Sequence, residues 1–149
     1  MTDEGNIMTT WINVKLLAPE CKPERKTAGA VGYDLVARVA VTVPPGKVGK
    51  VLTGVCLELH PGEEAQVRPR SGLSLRGIIG VPGTVDSDYR GEVGCLLHNT
   101  TAEPFAVEAG DRVAQLVFSR VLLPTLTVCA ELGSTDRGEG GFGSTGGKA

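Results

Sequence analysis

Val55-Cys56-Leu57-Glu58-Leu59-His60-Pro61-Gly62 alternates apolar and polar residues, then stops at a Pro-Gly pair. Period two is the signature of a half-buried strand, and Pro-Gly marks a turn. The same pattern extends in both directions. Upstream, Ile12, Val14 and Leu16 alternate with Asn13 and Lys15, and Val39, Val41 and Val43 alternate before Pro44-Pro45-Gly46. Downstream, Val93, Cys95 and Leu97 form a further strand, and Phe105 and Val107 a short one ended by Gly110. Residues 112–123 are denser in apolar side chains, which predicts a strand buried on both faces, and Leu126 and Val128 point to a last strand. Only residues 71–76, between Pro69 and Gly77, read as a short helix. Turn signals every 8–12 residues or so predict an all-β sandwich or barrel.

Composition agrees. The 149 residues contain 21 Gly and 9 Pro, which disfavour a helical bundle. A chain of this size buries roughly 70% of its unfolded surface, enough for one core without staples. Lys+Arg 15 against Asp+Glu 17 leaves a net charge of −2, so no global basic field argues for nucleic acid or an anionic membrane. Cys21, Cys56, Cys95 and Cys129 form no C-x-x-C, and His60 and His98 form no metal-binding pattern. The cysteines are expected to be reduced and mostly buried. Asn99-Thr100-Thr101 fits a glycosylation acceptor but is read as a plain loop, because the N-terminus, polar and acidic from Met1 to Asn6, carries no apolar signal region. An intracellular protein with no membrane segment is expected. Residues 1–132 read as one β domain, flexible at 1–10. Residues 133–149, with 7 glycines, read as a mobile arm.

Five stretches carry chemistry. Gly32-Tyr33-Asp34-Leu35 sets an acid at a strand start, or is a turn. Arg68-Pro69-Arg70-Ser71-Gly72 is either a solvated turn with an N-cap serine or a phosphate cradle of guanidinium, hydroxyl and backbone N–H groups. Gly83-Thr84-Val85-Asp86-Ser87-Asp88-Tyr89-Arg90-Gly91-Glu92, followed by Gly94, is a turn or a ligand loop. Asp86 is a candidate base, Tyr89 a stacking platform, and the glycines allow close backbone approach. Gln115, inside an apolar strand, needs partners from neighbouring backbone or a ligand. Arg137-Gly138-Glu139-Gly140-Gly141-Phe142-Gly143-Ser144-Thr145-Gly146 fits G-x-G-x-x-G, yet too little chain follows for a Rossmann helix, and it misses a Walker A. It is a disordered tail or a lid that stacks on a ring and wraps phosphates.

In this order and spacing, over residues 11–147, the five stretches resemble the motifs of the trimeric dUTPase family. The resemblance implies a distorted β-barrel or jelly-roll subunit and a homotrimer whose active sites draw on all three subunits. It implies hydrolysis of dUTP to dUMP and pyrophosphate with Mg²⁺, which limits uracil in DNA and supplies dUMP. By resemblance, Asp86 deprotonates the water that attacks the α-phosphorus, and Asp34 holds Mg²⁺ through its waters. Arg70, Ser71, Gly72 and Gln115 contact phosphates. Tyr89 packs under the deoxyribose, and backbone at Gly83, Thr84, Val85 and Gly94 reads the uracil edge. Arg137 meets the γ-phosphate, Phe142 covers uracil, and Gly143, Ser144 and Thr145 complete the lid. Residues 73–82 are fewer than in some members, so base reading is assigned to backbone, while Leu75 and Arg76 depart from commoner choices. The sister activity on this fold, dCTP deamination, uses another catalytic set. A signalling protein derived from the fold usually loses motifs, and this chain keeps all five.

Overall fold

Alternation along the chain becomes alternation of burial. The computed structural model describes residues 11–144 and 146. Among them the strands are β1 (Asn13–Leu16), β2 (Tyr33–Val36), β3 (Val41–Val43), β4 (Val48–Leu52), β5 (Val55–Glu58) and β6 (Glu63–Arg68), then, after the single helical turn α1 (Ser71–Ser74), β7 (Ile78–Val81), β8 (Gly83–Val85), β9 (Gly94–Asn99), β10 (Phe105–Val107) and β11 (Arg112–Arg120). Val55 and Leu57 point inward from β5, while Glu58 faces solvent. Val93, Cys95 and Leu97 are all buried, as their spacing predicts.

All strand pairs are antiparallel. The sheets run β2-β11-β6-β8 and β4-β9-β7, with the two-stranded pairs β1-β5 and β3-β10. They enclose one core, with Leu35, Val43, Val51, Ile78, Leu97 and Leu116 among its buried members. The sheets do not merge into one closed barrel, and the arrangement is jelly-roll-like.

β11 is the organising strand. It lies between β2 and β6, and Val113, Ala114, Leu116 and Val117 are buried. Its register shifts between Arg112 and Ala114, so Val113 and Ala114 can both face inward. The same pairing sets Gln115 opposite Asp34 on one side and Arg68 on the other. Pro69 ends β6, and its neighbourhood is crowded. A Cβ on Gly80 of β7 would lie 2.8 Å from the Pro69 Cα, so only glycine fits there.

Some expectations change. Strand β3 begins at Val41, leaving Val39 exposed. β11 stops at Arg120, and residues 121–130 form no strand. Leu122, Leu123, Leu126 and Val128 are exposed, since an apolar alternation makes a strand only where an edge is available to pair with it. The helix cap is Arg70, with extended backbone and no side-chain cap bond, rather than a serine. Asn99 is fully buried and not a loop acceptor. Its Nδ2 donates to the Val43 and Glu103 carbonyls at 3.0 and 2.7 Å, and its Oδ1 accepts from the Thr101 N–H and hydroxyl. All four cysteines are free. Cys21 and Cys95 are buried, Cys56 is half-buried and Cys129 is exposed. Burial pushes the Cys95 thiol up to about 12. No helix among the described residues is long and apolar enough to cross a membrane.

Candidate active site

The sequence-predicted residues fall into three places. The first is a cleft of about 260 Å³ beside β8, lined by Gly83, Thr84, Val85, Asp86, Tyr89 and Gly94 together with Lys50, Glu92 and Leu96. Among the described residues β8 pairs only with β6, so it is an edge strand there, with outer backbone groups available to a ligand. Asp86 follows directly and is exposed. A tight turn carries the chain onward, with the Tyr89 N–H donating to the Asp86 carbonyl at 3.1 Å. Arg90 stiffens it by donating to the Ser87 and Tyr89 carbonyls at 2.7 and 3.2 Å. The Tyr89 hydroxyl then donates to the Glu92 carbonyl at 3.0 Å. This folds the ring back over Gly91, where a Cβ would overlap it. The cleft therefore presents an open carboxylate, a ring and a hydrogen-bonding edge together.

The second place surrounds Asp34. Its carboxylate faces Arg112 Nη1 at 3.3 Å and Arg70 Nε at 3.6 Å. Arg70 Nη1 also donates to the Arg112 carbonyl at 3.0 Å. Gln115 Nε2 donates to the Pro69 carbonyl at 3.0 Å, so the buried-strand amide does find backbone, while its Oε1 lies against Gly32 where no Cβ could fit. Ser71 and Gly72 are exposed, and the space beside Gly72 is open. A cleft of about 420 Å³ opens here, lined by Arg70, Gly72, Arg76, Phe105 and Arg112 among others. Arg76 sits over the Phe105 ring at 5.3 Å, and Leu75 projects into solvent. Two guanidinium groups against one carboxylate leave excess positive charge, which suits an anion.

Asp34 is a hard oxygen donor, and no group of three or more acidic, His or Cys side chains gathers among the described residues. That donor set fits a magnesium ion carried on phosphates and touched through water, not one caged by protein.

The third place is the glycine-rich segment. Arg137 Nε donates to the Gly140 carbonyl at 2.8 Å, and the Ser144 N–H to the Gly141 carbonyl at 3.0 Å. Phe142 is fully exposed with φ +50°, and Gly143 follows at φ +84°. None of these residues lines either cleft. Thr145 and residues 1–10 lie outside the described residues.

The two clefts share no lining residue among the described residues: Asp86 and Tyr89 line one, Arg70 and Gly72 the other. A larger groove of about 810 Å³, with Ile12, Val14, Leu16, Leu57 and Phe118 on its apolar side and Lys22, Arg25, Glu63 and Arg120 also in its lining, holds none of the candidate residues. Sequence reasoning passed over Lys50, whose stem covers Gly94, because β4 carries no motif. It also passed over Arg112 as a partner for Asp34, although Arg112 sits in a quoted stretch. The Arg38–Glu92 ion pair spans 54 residues and had no local signal.

Known proteins resemble this chain over most of its length. A model of the dUTPase family matches residues 20–146, which includes most of the glycine-rich segment. The deoxyuridine 5'-triphosphate nucleotidohydrolase of Anaeromyxobacter sp. (strain Fw109-5) is 52% identical over 127 residues, covering 83% of this chain and 86% of the relative. That of Methylocella silvestris is 48% identical over 134 residues, covering 85% and 84%. Among solved structures, the Staphylococcus bacteriophage 80alpha dUTPase with dUPNHPP superposes with a TM-score of 0.86 at 27% identity, over 93% of this chain and 99% of that one. The chain belongs to the dUTPase family.

Proposed function

We propose that the protein is a dUTP diphosphatase, which hydrolyses dUTP to dUMP and pyrophosphate. The observation that carries the reading is the cleft that sets the Asp86 carboxylate and the Tyr89 ring beside the free edge of β8, in a chain of this family. Edge backbone at Gly83, Thr84 and Val85, with Gly94, pairs with uracil. A cytosine edge would leave buried donors or acceptors unmatched, which rejects it. Tyr89 packs under the deoxyribose and leaves no room for a 2′-hydroxyl. Asp86 accepts a proton from water as that water attacks the α-phosphorus in line with the departing pyrophosphate.

Arg70, Ser71, Gly72 and Gln115 receive the phosphates. Asp34 would hold Mg²⁺ through its waters, and the ion, when bound, spreads the phosphate charge. Residues 133–149 act as an arm: Arg137 on the γ-phosphate, Phe142 over uracil, and Gly143, Ser144 and Thr145 closing the lid, which excludes water.

The clefts are separate within a subunit, so a complete site joins pieces from different copies, and we read the assembly as a homotrimer. Val48, Ile79, Val81 and Leu96 support this, for they are exposed together on the outer face of β4-β9-β7. The substrate places the enzyme inside the cell, with no stable hold on nucleic acid or membrane.

Pyrophosphate release from dUTP with Mg²⁺ tests the proposal. Native protein turns over, while Asp86→Asn binds dUTP but does not hydrolyse it. No turnover by freshly purified native protein, or ammonia release from dCTP, overturns the reading.

A further inference from the structure

Arg38 and Glu92 form a two-pronged ion pair, with Nε to Oε1 at 2.9 Å and Nη2 to Oε2 at 3.1 Å. The Glu92 side chain is only 16% exposed. Its Oε1 also accepts the Gly54 N–H at 2.7 Å. Gly54 sits in the β4–β5 turn at φ +71°, where a Cβ would lie 2.6 Å from the Cys21 sulfur, so this anchor cannot shift freely. Arg38 is itself fixed, because its N–H donates to the Leu52 carbonyl at 2.8 Å. The next residue is pinned too: the Val93 N–H donates to the Val55 carbonyl at 2.7 Å, and the Thr53 N–H to the Val93 carbonyl at 3.2 Å. Three side-chain contacts and two main-chain contacts thus immobilise residues 92 and 93.

One group at Glu92 points the other way. Its main-chain carbonyl accepts the Tyr89 hydroxyl, and Tyr89 is itself 45% exposed. A half-exposed ring held by one hydrogen bond is only as fixed as its acceptor. Charge-assisted, bidentate pairing of the Glu92 carboxylate restrains the residue that carries that acceptor more firmly than neutral hydrogen bonds would.

We propose that the Arg38–Glu92 pair is a positioning device for sugar selection: it fixes the carbonyl from which Tyr89 hangs, and thereby the depth of the ring that abuts the deoxyribose. The proposal rests on the reading of Asp86 and Tyr89 given above. Neither Arg38 nor Glu92 needs to touch substrate. The guanidinium also holds the Glu92 carboxyl below the usual carboxylate range, so the pair stays charged at neutral pH. A glutamine at 92 would turn its NH₂ group towards a donor-only guanidinium or lose one prong.

The test compares kcat/KM for dUTP and UTP in the native full-length protein, Glu92→Gln, Tyr89→Phe, the double variant and Arg38→Lys. Glu92→Gln lowers the dUTP/UTP ratio about tenfold, a modest share of what a misplacement near 1 Å can cost. In the Tyr89→Phe background the link is already cut, so adding Glu92→Gln changes the ratio by less than about twofold. Arg38→Lys keeps the charge but loses the fork, and falls between native and Glu92→Gln. A merely structural pair would depress both substrates alike and leave the ratio unmoved. An unchanged ratio in Glu92→Gln, or independent effects in the double variant, overturns the proposal. If Glu92→Gln does not fold, Arg38→Lys decides, and a native ratio there overturns it equally. Native protein that fails to hydrolyse dUTP sinks the functional reading and this role with it. Native protein that hydrolyses dUTP, with a ratio blind to Glu92→Gln, sinks the positioning role alone.

Discussion

Gly91→Ala isolates what the Tyr89 ring does. The added Cβ would lie 2.6 Å from Tyr89 Cζ and 3.0 Å from Cε2, and would overlap the hydroxyl. Ordinary carbon contacts begin near ~3.5 Å, so the ring must retreat by about 1 Å. Its bond to the Glu92 carbonyl, 3.0 Å long, then breaks. The Gly91 backbone is outside the left-handed region, so alanine is tolerated there apart from the ring. Stability therefore changes little. A lost exposed hydrogen bond costs about 0.5–1.5 kcal/mol. Reduced freedom of the unfolded chain returns about 0.4–1 kcal/mol. The expected shift in Tm is under about 4 °C. Catalysis is different, because a misplacement of about 1 Å at a positioning group can cost ~10²-fold in kcat/KM. The assay pairs a melting curve with pyrophosphate release from dUTP and UTP. The expected result is a near-native Tm, a fall in dUTP turnover approaching 10²-fold and a lower dUTP/UTP ratio. A variant with native turnover and native discrimination would refute the reasoning. So would a collapse in Tm, which would assign Gly91 to the fold rather than to the ring.

Asn99→Ala removes four hydrogen bonds from a fully buried amide, so the urea midpoint should fall by the equivalent of about 2–4 kcal/mol; an exposed-like loss of a few tenths would contradict the network. Ending the chain after Gly133 removes a segment whose described residues are almost all exposed, so Tm should move by less than about 3 °C. Turnover of dUTP should then drop by ~10²-fold or more, and a large loss of Tm would show the segment packs on the core. The Glu92 carboxyl is held below its ordinary value by Arg38, so its folded pKa is lower than its unfolded one. Its contribution to stability is complete above the ordinary value of 4.5 and is lost as pH falls through the folded value. Denaturation midpoints followed across the acid range should therefore fall less steeply for Glu92→Gln than for native protein.

Much of the fold was legible because period two is a local property. β5 and β9 alternate cleanly, and their inward residues are the buried ones. β7 was not legible, since Ile78-Ile79-Gly80-Val81 has no polar alternation, and the glycine is there for the Pro69 turn pressing against it. β6 was hidden as well, because only Ala65 and Val67 are buried in a strand otherwise made of charged and polar residues. Leu126 and Val128 show the converse error, an apolar alternation with no edge to pair with. Asp34, Arg70, Asp86 and Tyr89 stood out as candidates because each sits near glycines or turn residues that constrain the backbone locally, whereas Gln115 stood out as a polar side chain inside an apolar strand.

The sequence by itself determined which residues could do chemistry, and that the chain would be a β protein with a glycine-rich end. Both follow from short-range rules of side-chain spacing and backbone freedom. Only the tertiary structure decided that Asp34 faces Arg70 and Arg112, that Arg70 and Gly72 line one cleft while Asp86 and Tyr89 line another, and that Glu92 carries Tyr89 on one side while Arg38 grips it on the other. Those relations join residues up to 78 positions apart, and they arise from strand register and turn packing, which no local pattern encodes.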